Sequence, residues 1–439
     1  MRTSSLVFYG AVCVLFPLTN VMIYLSTTTI TTTTTLTSAK LTTALWSDPL
    51  IVVAERLVSA TPTFGEERGI IPAVLLDDLV WHVPRPLQPR FLGWEDDFMK
   101  QWKQKHYSPQ QRLHCTHGEP SPYQNPLLCH VPAYIPARLP LSPSSQAIPR
   151  VIFISWMTRQ LGRSFYTSLL TILHHHPEYE LIFFTDDDVD QSVCDNFPHI
   201  APYFFGLYAG AARIDVWRML MIERFGGVYL DMDMSALAHL PIGPHDHVVS
   251  GIGGWTHVYP RRGGLLEHWS LAFVPHHPLI QTTLEIIMDN FRHPTNEQIV
   301  GKNATNVEDS WVIRFTGPAV YQRALHKLLQ ECDCRLDGTS YSPALKNPSA
   351  WCNMTKFHSL FGPVSLTELD MNHTITPKLF DHANERYVLS DMTYWQPEME
   401  RYDPPGNKTH ADVCAPAVLA NRTAALEKKW MEKIQKKSK

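Results

Sequence analysis

Asp231 and Asp233 sit two residues apart at the end of the run RIDVWRMLMIERFGGVYLDMDM (213–234). Two carboxylates that close repel each other unless a cation lies beside them. Hard divalent ions take oxygen ligands of this kind, and Mg2+ or Mn2+ so held keeps open positions for phosphate oxygens. The spacing alone decides little. Asp186-x-Asp188 and Asp188-x-Asp190 share it, and an exposed strand decorated with aspartates would look the same.

The elements before Asp231 give it a context the other pairs lack. Ile214, Trp217, Met221 and Phe225 recur at spacings of three and four and predict a helix over 209–225 with one buried stripe. Gly226-Gly227 stops that helix, because glycine tolerates a left-handed cap. VYLDMDM then alternates with period two. Tyr229, Asp231 and Asp233 are expected on one face of a strand, and Val228, Leu230, Met232 and Met234 on the other. Upstream, IPRVIFISW, SFYTSLLTILHHHP and YELIFFTDDD predict strand, helix and strand. Polar residues close the second strand at its C-terminal end, where open α/β sheets bind ligands. The histidine run His174–His176 reads as a solvated helix end. No GxGxxG follows either strand and no GxxxxGK[ST] occurs, which excludes the dinucleotide and phosphate-loop fingerprints.

The chain around this unit points to a membrane-tethered luminal protein. Residues 6–25 (LVFYGAVCVLFPLTNVMIYL) carry no charge and are long enough to span a bilayer. They predict a signal anchor behind a five-residue cytosolic tail (1–5), with a cleaved signal peptide as the alternative. A Thr-rich stalk (26–45) and a Pro- and aromatic-rich stem (46–147) precede the expected catalytic domain (148–400) and a basic C-terminal tail (401–439). Five N-x-[ST] sequons, at Asn303, Asn353, Asn372, Asn407 and Asn421, all lie beyond the apolar segment, against roughly two expected by chance. Seven of the eight cysteines also lie there. Cys115 with Cys129, and Cys352 with either Cys332 or Cys334, are the expected local disulfides. The 38 basic groups nearly balance the 42 acidic ones, which leaves no electrostatic footprint for nucleic acid.

With these motifs in place, residues 148–237 resemble glycosyltransferase family 32, whose members carry a DXD sugar-binding region. The matching stretches are IPRVIFISW, HPEYELIFFTDDD and ARIDVWRMLMIERFGGVYLDMD, with FTGPAV (315–320) as a looser match. The family includes initiation-specific α-1,6-mannosyltransferases and inositol-phosphoceramide mannosyltransferases. The resemblance implies an α/β chain with the GT-A-type nucleotide-diphospho-sugar transferase fold, a mixed open sheet flanked by helices. It implies that Trp156 stacks on the nucleotide base and that Asp215 and Arg218 bind donor-sugar hydroxyls. Asp215 and Arg218 also fit a plain intrahelical ion pair, and Trp156 a core tryptophan. Tyr229 and Asp231 would contact the donor, and Asp233, with Asp231, the metal. Near the C-terminus the family carries a histidine before a Ser-x-Trp. In RYVLSDMTYW, Ser390 stands near that histidine, and Thr393 and Trp395 stand for the final Ser and Trp, so Ser390, Asp391 or His382 is left as the third ligand. Phe153 and Ile154 replace the family's frequent His-Gln.

The activity so implied is retaining hexosyl transfer in the Golgi or ER/Golgi membrane by a single-pass type II enzyme. The expected donor is GDP-mannose, with a UDP-hexose as the alternative. The expected cofactor is Mn2+ or Mg2+, and the acceptor a glycan, glycoprotein or glycolipid, inositol phosphoceramide included. Three readings from other classes remain. DMDMS also fits a phosphatase with Asp231 as nucleophile. Asp187 and Asp231 fit a glycosidase carboxylate pair. A luminal binding subunit without turnover is the third.

Overall fold

Uninterrupted apolar runs become the central strands of one sheet, and the helices cover them. The computed structural model describes residues 81–82, 92–108, 112–117, 127–139, 146–236, 238–253, 265–294, 311–335, 348–362, 380–382, 402–422 and 424. Trp81–His82 (β1) is the described part of a first unit, Met1–His82. Every other described element belongs to a second unit, Val83–Lys439.

Within that unit the chain runs through α1 (Asp97–His106), β2 (Arg112–His117), β3 (Leu127–His130), β4 (Tyr134–Ile135), β5 (Val151–Ser155), β6 (Gln160–Gly162) and α2 (Arg163–His175). Then come β7 (Glu180–Phe184), α3 (Asp186–Asn196), α4 (Ala201–Phe204), α5 (Gly210–Phe225), β8 (Gly227–Leu230), β9 (Met234–Ala236), β10 (Val248–Gly253) and β11 (Leu265–Phe273). The last elements are α6 (Pro278–Arg292), α7 (Trp311–Phe315), α8 (Pro318–Glu331), α9 (Pro348–Trp351), α10 (Met354–Phe361), β12 (Phe380–His382) and α11 (His410–Cys414).

The main sheet has six strands in the order β10-β11-β8-β5-β7-β4. Its centre is parallel: β5 pairs with β7 on one side and β8 on the other. The outer pairings are antiparallel. The chain therefore leaves β5 for β7 on one side, then crosses to β8 on the other. Such a switch opens a crevice beyond the C-terminal ends of the strands, the usual ligand position in open α/β sheets. Trp156, Thr185 and Asp231 are the residues that leave β5, β7 and β8 at that edge. The edge strand β4 comes from within 46–147, the stretch expected as stem. Beside the main sheet, β2, β3 and β6 form a small antiparallel sheet, and β9 pairs with β12.

The helix α5 runs through the middle of this arrangement. One apolar stripe was expected, but Ala212 to Ile222 are all buried, Arg213, Asp215 and Arg218 among them. A helix enclosed on every side must pair its charges internally. It ends as the Gly-Gly signal predicts. Gly226 (φ 62°) caps α5 by donating to the Ile222 carbonyl, and Gly227 (φ 87°) starts β8. A Cβ on Gly226 would lie 2.6 Å from the Pro275 nitrogen, and one on Gly227 2.5 Å from Val151 Cγ1.

Cystines and the C-terminal stretch complete the body. Cys334 is bonded to Cys352, which leaves Cys332 as a buried free thiol. Cys129 is disulfide-bonded, and the residue across the ladder from it is Cys115. A further bridge, Cys194–Cys414, has no signature in the cysteine spacing. His176 is not at a solvated end: it is buried, its Nδ1 donating to the Ile172 carbonyl and its Nε2 accepting from Leu240 N–H. Among the described residues no helix is long and apolar enough to cross a membrane, and residues 6–25 lie outside them.

Candidate active site

The two aspartates occupy a turn, which corrects the expectation of one continuous strand. β8 stops at Leu230, the Met234 N–H closes back on the Asp231 carbonyl at 3.3 Å, and β9 begins at Met234. The burial alternation survives the break: Met232 and Met234 are buried, and Asp231 and Asp233 are half-buried. Asp231 is firmly placed. Its N–H donates to the Trp269 carbonyl on β11 at 2.9 Å. Its Oδ1 accepts from the Tyr229 hydroxyl at 2.7 Å and faces Arg218 Nη2 at 3.2 Å. Among the described residues Oδ2 has no hydrogen-bond partner, and the side chain is 31% exposed, against 5% for Arg218. The carboxylate is thus held by one oxygen and open at the other.

Beneath it lies a buried polar layer. Arg218 stacks over the Tyr229 ring with its guanidinium carbon 4.5 Å from the ring centroid. Its Nη2 also lies 3.3 Å from Asp215 Oδ1, the (i, i+3) pair expected from the sequence. Asp215 Oδ2 accepts from the Thr316 hydroxyl at 3.2 Å. Burial pushes the Asp215 carboxyl up to about 7, against the pull of Arg218. Opposite stands His268, from β11, with Nδ1 2.9 Å from Arg218 Nη1. Burial and the adjacent Arg218 hold its imidazole well below the ordinary histidine range, so it is neutral. Asp215 and Asp231 both lie against the Arg218 guanidinium, and Asp233 adds to the negative charge it feels. One open carboxylate oxygen on Asp231, with Asp233 in the same turn, suits a hard divalent cation held by Asp231 and Asp233.

Trp156 lies at the crevice edge, its backbone N–H donating to the Phe184 carbonyl at 3.0 Å and its ring 4.5 Å from Phe165. The indole is half-buried. Ser155, just before it, lies near enough to the Tyr229 hydroxyl to pull its pKa down against the burial, and that hydroxyl donates to Asp231.

The other aspartate pairs have structural duties. Asp188 closes the capping box of α3 with Thr185 and pairs with Arg159 at 2.7 Å. Asp190 pairs with Arg213 and, at 3.3 Å, with Arg422. Asp187 is exposed in the first turn of α3. Cys194, His410 and Cys414 cluster closely enough to suggest a metal, but the cysteines are joined to each other and His410 Nε2 donates to the Cys194 carbonyl. Ser390, Asp391, Thr393 and Trp395 lie outside the described residues. His382 is described as backbone: β12 pairs it with Met234, next to Asp233.

Sequence reasoning missed His268 and Thr316 as site residues. Thr316 had a signal in FTGPAV. His268 had none, since nothing in its spacing ties it to Arg218.

Comparison with known proteins places a family at this same region. Residues 163–249 match the family model for a glycosyltransferase sugar-binding region containing a DXD motif. The chain is 25% identical over 149 residues to inositol phosphoceramide mannosyltransferase 2 of Schizosaccharomyces pombe, covering 33% of this chain and 39% of that one. It is 21% identical over 237 residues to mannosyl phosphorylinositol ceramide synthase SUR1 of Saccharomyces cerevisiae, covering 50% and 60%. A solved structure, PaToxG glycosyltransferase, covers 51% of this chain and 82% of its own at 18% identity. Its TM-score of 0.31 is too low to carry an argument about the fold. The chain spans less than two thirds of the length of these curated relatives. These matches bear out the resemblance to glycosyltransferase family 32. The matched segment contains α5, β8 and the aspartate turn, and so Asp215, Arg218, Tyr229 and the DXD pair, while His268 and Thr316 lie beyond it.

Proposed function

We propose that this chain is a hexosyltransferase. It transfers mannose from GDP-mannose, with retention, to a glycan, glycoprotein or glycolipid acceptor and uses a divalent metal, Mn2+ or Mg2+. The observation that carries this reading is Asp231, pinned through Oδ1 and open at Oδ2, with Asp233 in the same turn at the C-terminal edge of the parallel strands. The parallel core and its crevice support the GT-A-type fold for the catalytic domain.

In this reading Asp233 and Asp231 hold the metal, and Trp156 stacks on the base. Tyr229 and Arg218 keep Asp231 in place, and Asp215 completes the layer beneath the donor sugar. His382 is the candidate third ligand, from its register position beside Met234; Ser390 and Asp391 are the alternatives, with Thr393 and Trp395 as further donor contacts. A metal bound there supplies Lewis-acid stabilisation of the charge that grows on the departing diphosphate. The chain's own residues bind and orient the donor so that the acceptor hydroxyl attacks on the face the diphosphate leaves.

The disulfides support passage through an oxidising compartment. They fit a Golgi or ER/Golgi protein anchored by residues 6–25 in single-pass type II orientation, with stalk and stem before a luminal catalytic domain. One second reading has a specific basis: the relatives' names favour inositol phosphoceramide as acceptor.

A donor screen tests the proposal. The purified full chain in detergent, with Mn2+ and a panel of sugar nucleotides, should release GDP from GDP-mannose. Release from a UDP-hexose instead would reassign the donor, and release from none would overturn the enzyme reading. Labelled mannose recovered in a lipid extract supplied with inositol phosphoceramide would select the second acceptor. Asp233→Ala should abolish release at every Mn2+ concentration while the melting profile stays cooperative; near-normal release would refute the metal assignment.

A further inference from the structure

Every nitrogen of Arg218 already faces an acceptor inside the protein. Nε donates to the Ile214 carbonyl at 3.4 Å. Nη1 meets His268 twice, at the backbone carbonyl (2.8 Å) and at Nδ1 (2.9 Å). Nη2 lies within ion-pair distance of Asp215 and Asp231, at 3.3 and 3.2 Å. A guanidinium has donors only, and these are directed at protein groups. Arg218 therefore acts by holding its neighbours, and of those neighbours only Asp231 reaches the crevice.

His268 is the group that fixes Arg218 from behind. A guanidinium cannot accept, so Nδ1 must be the acceptor and the ring proton must sit on Nε2. That Nε2 is buried with no hydrogen-bond partner, 3.6 Å from Asp215 Oδ1. A protonated imidazole could not accept from Arg218 and would place two cations in contact. The neutral ring and its single tautomer thus follow from the contact itself. Take Nδ1 away, and Nη1 keeps only the backbone carbonyl. The guanidinium can then turn over the Tyr229 face, and Asp231 loses its second anchor.

We propose that His268 is a positioning residue for the transfer reaction: its Nδ1 holds Arg218 so that Arg218 pins Oδ1 of Asp231 and leaves Oδ2 open toward the crevice. This rests on the hexosyltransferase reading, and adds a residue that neither the DXD motif nor the matched segment contains.

The test compares His268→Leu, which keeps bulk and removes the acceptor, with His268→Asn, whose Oδ1 can stand where Nδ1 stood. In the full chain, His268→Leu should lower kcat for GDP release from GDP-mannose about ten- to a hundredfold, the range for a hydrogen bond to a charged group. It should also weaken Mn2+ binding, measured calorimetrically without donor. His268→Asn should restore both to within about threefold, a rescue that a packing role would not give. If the leucine variant does not fold, the asparagine variant decides, and a fall of about tenfold there overturns the proposal. Turnover in the wild type with an unaffected leucine variant overturns the proposal alone. Absence of turnover in the wild type overturns the reading beneath it.

Discussion

At the residue scale, the candidate site is one half-exposed carboxylate standing on a buried layer, and the layer is packed to contact. Thr316 and Gly317 show how tightly. The Thr316 hydroxyl donates to Asp215, and a Cβ on Gly317 would lie 3.2 Å from Asp215 Oδ2 and 2.9 Å from Ile313 Cα. The glycine is there for room, since its φ of -89° is open to any residue. Gly317→Ala should therefore push on Asp215 and, through Arg218, on Asp231. We expect a loss of stability of about 1–3 kcal/mol together with a fall in kcat for donor turnover larger than the fall in melting temperature explains. Steady-state kinetics at a temperature well below the melt would separate the two, and unchanged kcat would refute the coupling. Asp215, Arg218, Tyr229, Asp231 and Asp233 were legible because one short stretch of chain carries all five. His268 and Thr316 come from distant elements, and only the fold brings them to the same layer.

At the element scale, buried charge explains more than apolar pattern does. The spacing in 209–225 revealed a helix but suggested one stripe, because period analysis sees apolar residues and not what lies opposite Arg213, Asp215 and Arg218. The same limit hid Lys103. It lies in α1 with its amine buried, ion-paired to Glu95 and to Glu180 at the start of β7, where Tyr134 also donates to Glu180 at 3.2 Å. With both carboxylates ionised this buried trio carries one net negative charge. Burial accordingly pushes Glu180 up from 4.5 to about 7, while Lys103 pulls the other way. The folded protein then keeps a proton on Glu180 that the unfolded chain has released, so the contribution of Glu180 to stability should fall as pH rises from about 4.5 to about 7. Glu180→Gln, which fixes the neutral form, should flatten that part of the profile. Urea melts of both proteins at about pH 5 and about pH 8 would show it as the difference between the two profiles; parallel profiles would refute the assignment.

At the scale of the whole molecule, the stretch read as a basic C-terminal tail closes the body on the side of α3 and α5. Tyr402 is fully buried, bridges to Leu207 and stacks on Phe291 with centroids 5.3 Å apart. Asp403 accepts from the Tyr208 hydroxyl at 2.6 Å, and the Cys194–Cys414 bridge ties α11 to α3 across 220 residues. Arg422 lies 3.3 Å from Asp190, which is also the partner of Arg213, two residues before Asp215 on α5. None of this could be read from composition, which registers the charged end and misses one buried tyrosine and one cysteine paired far upstream. The closure has a direct consequence. A chain ending at residue 401 loses the bridge, leaves Phe291 and Phe315 without the Tyr402 ring, and deprives Asp190 of one of its two arginines. It should be recovered with a broadened or absent thermal transition and little donor turnover. Cys414→Ser in the full chain isolates the bridge and should cost about 2–5 kcal/mol. A 401-ending protein that melts cooperatively at the full-length temperature would show that the closing segment only lies on the body and does not hold it.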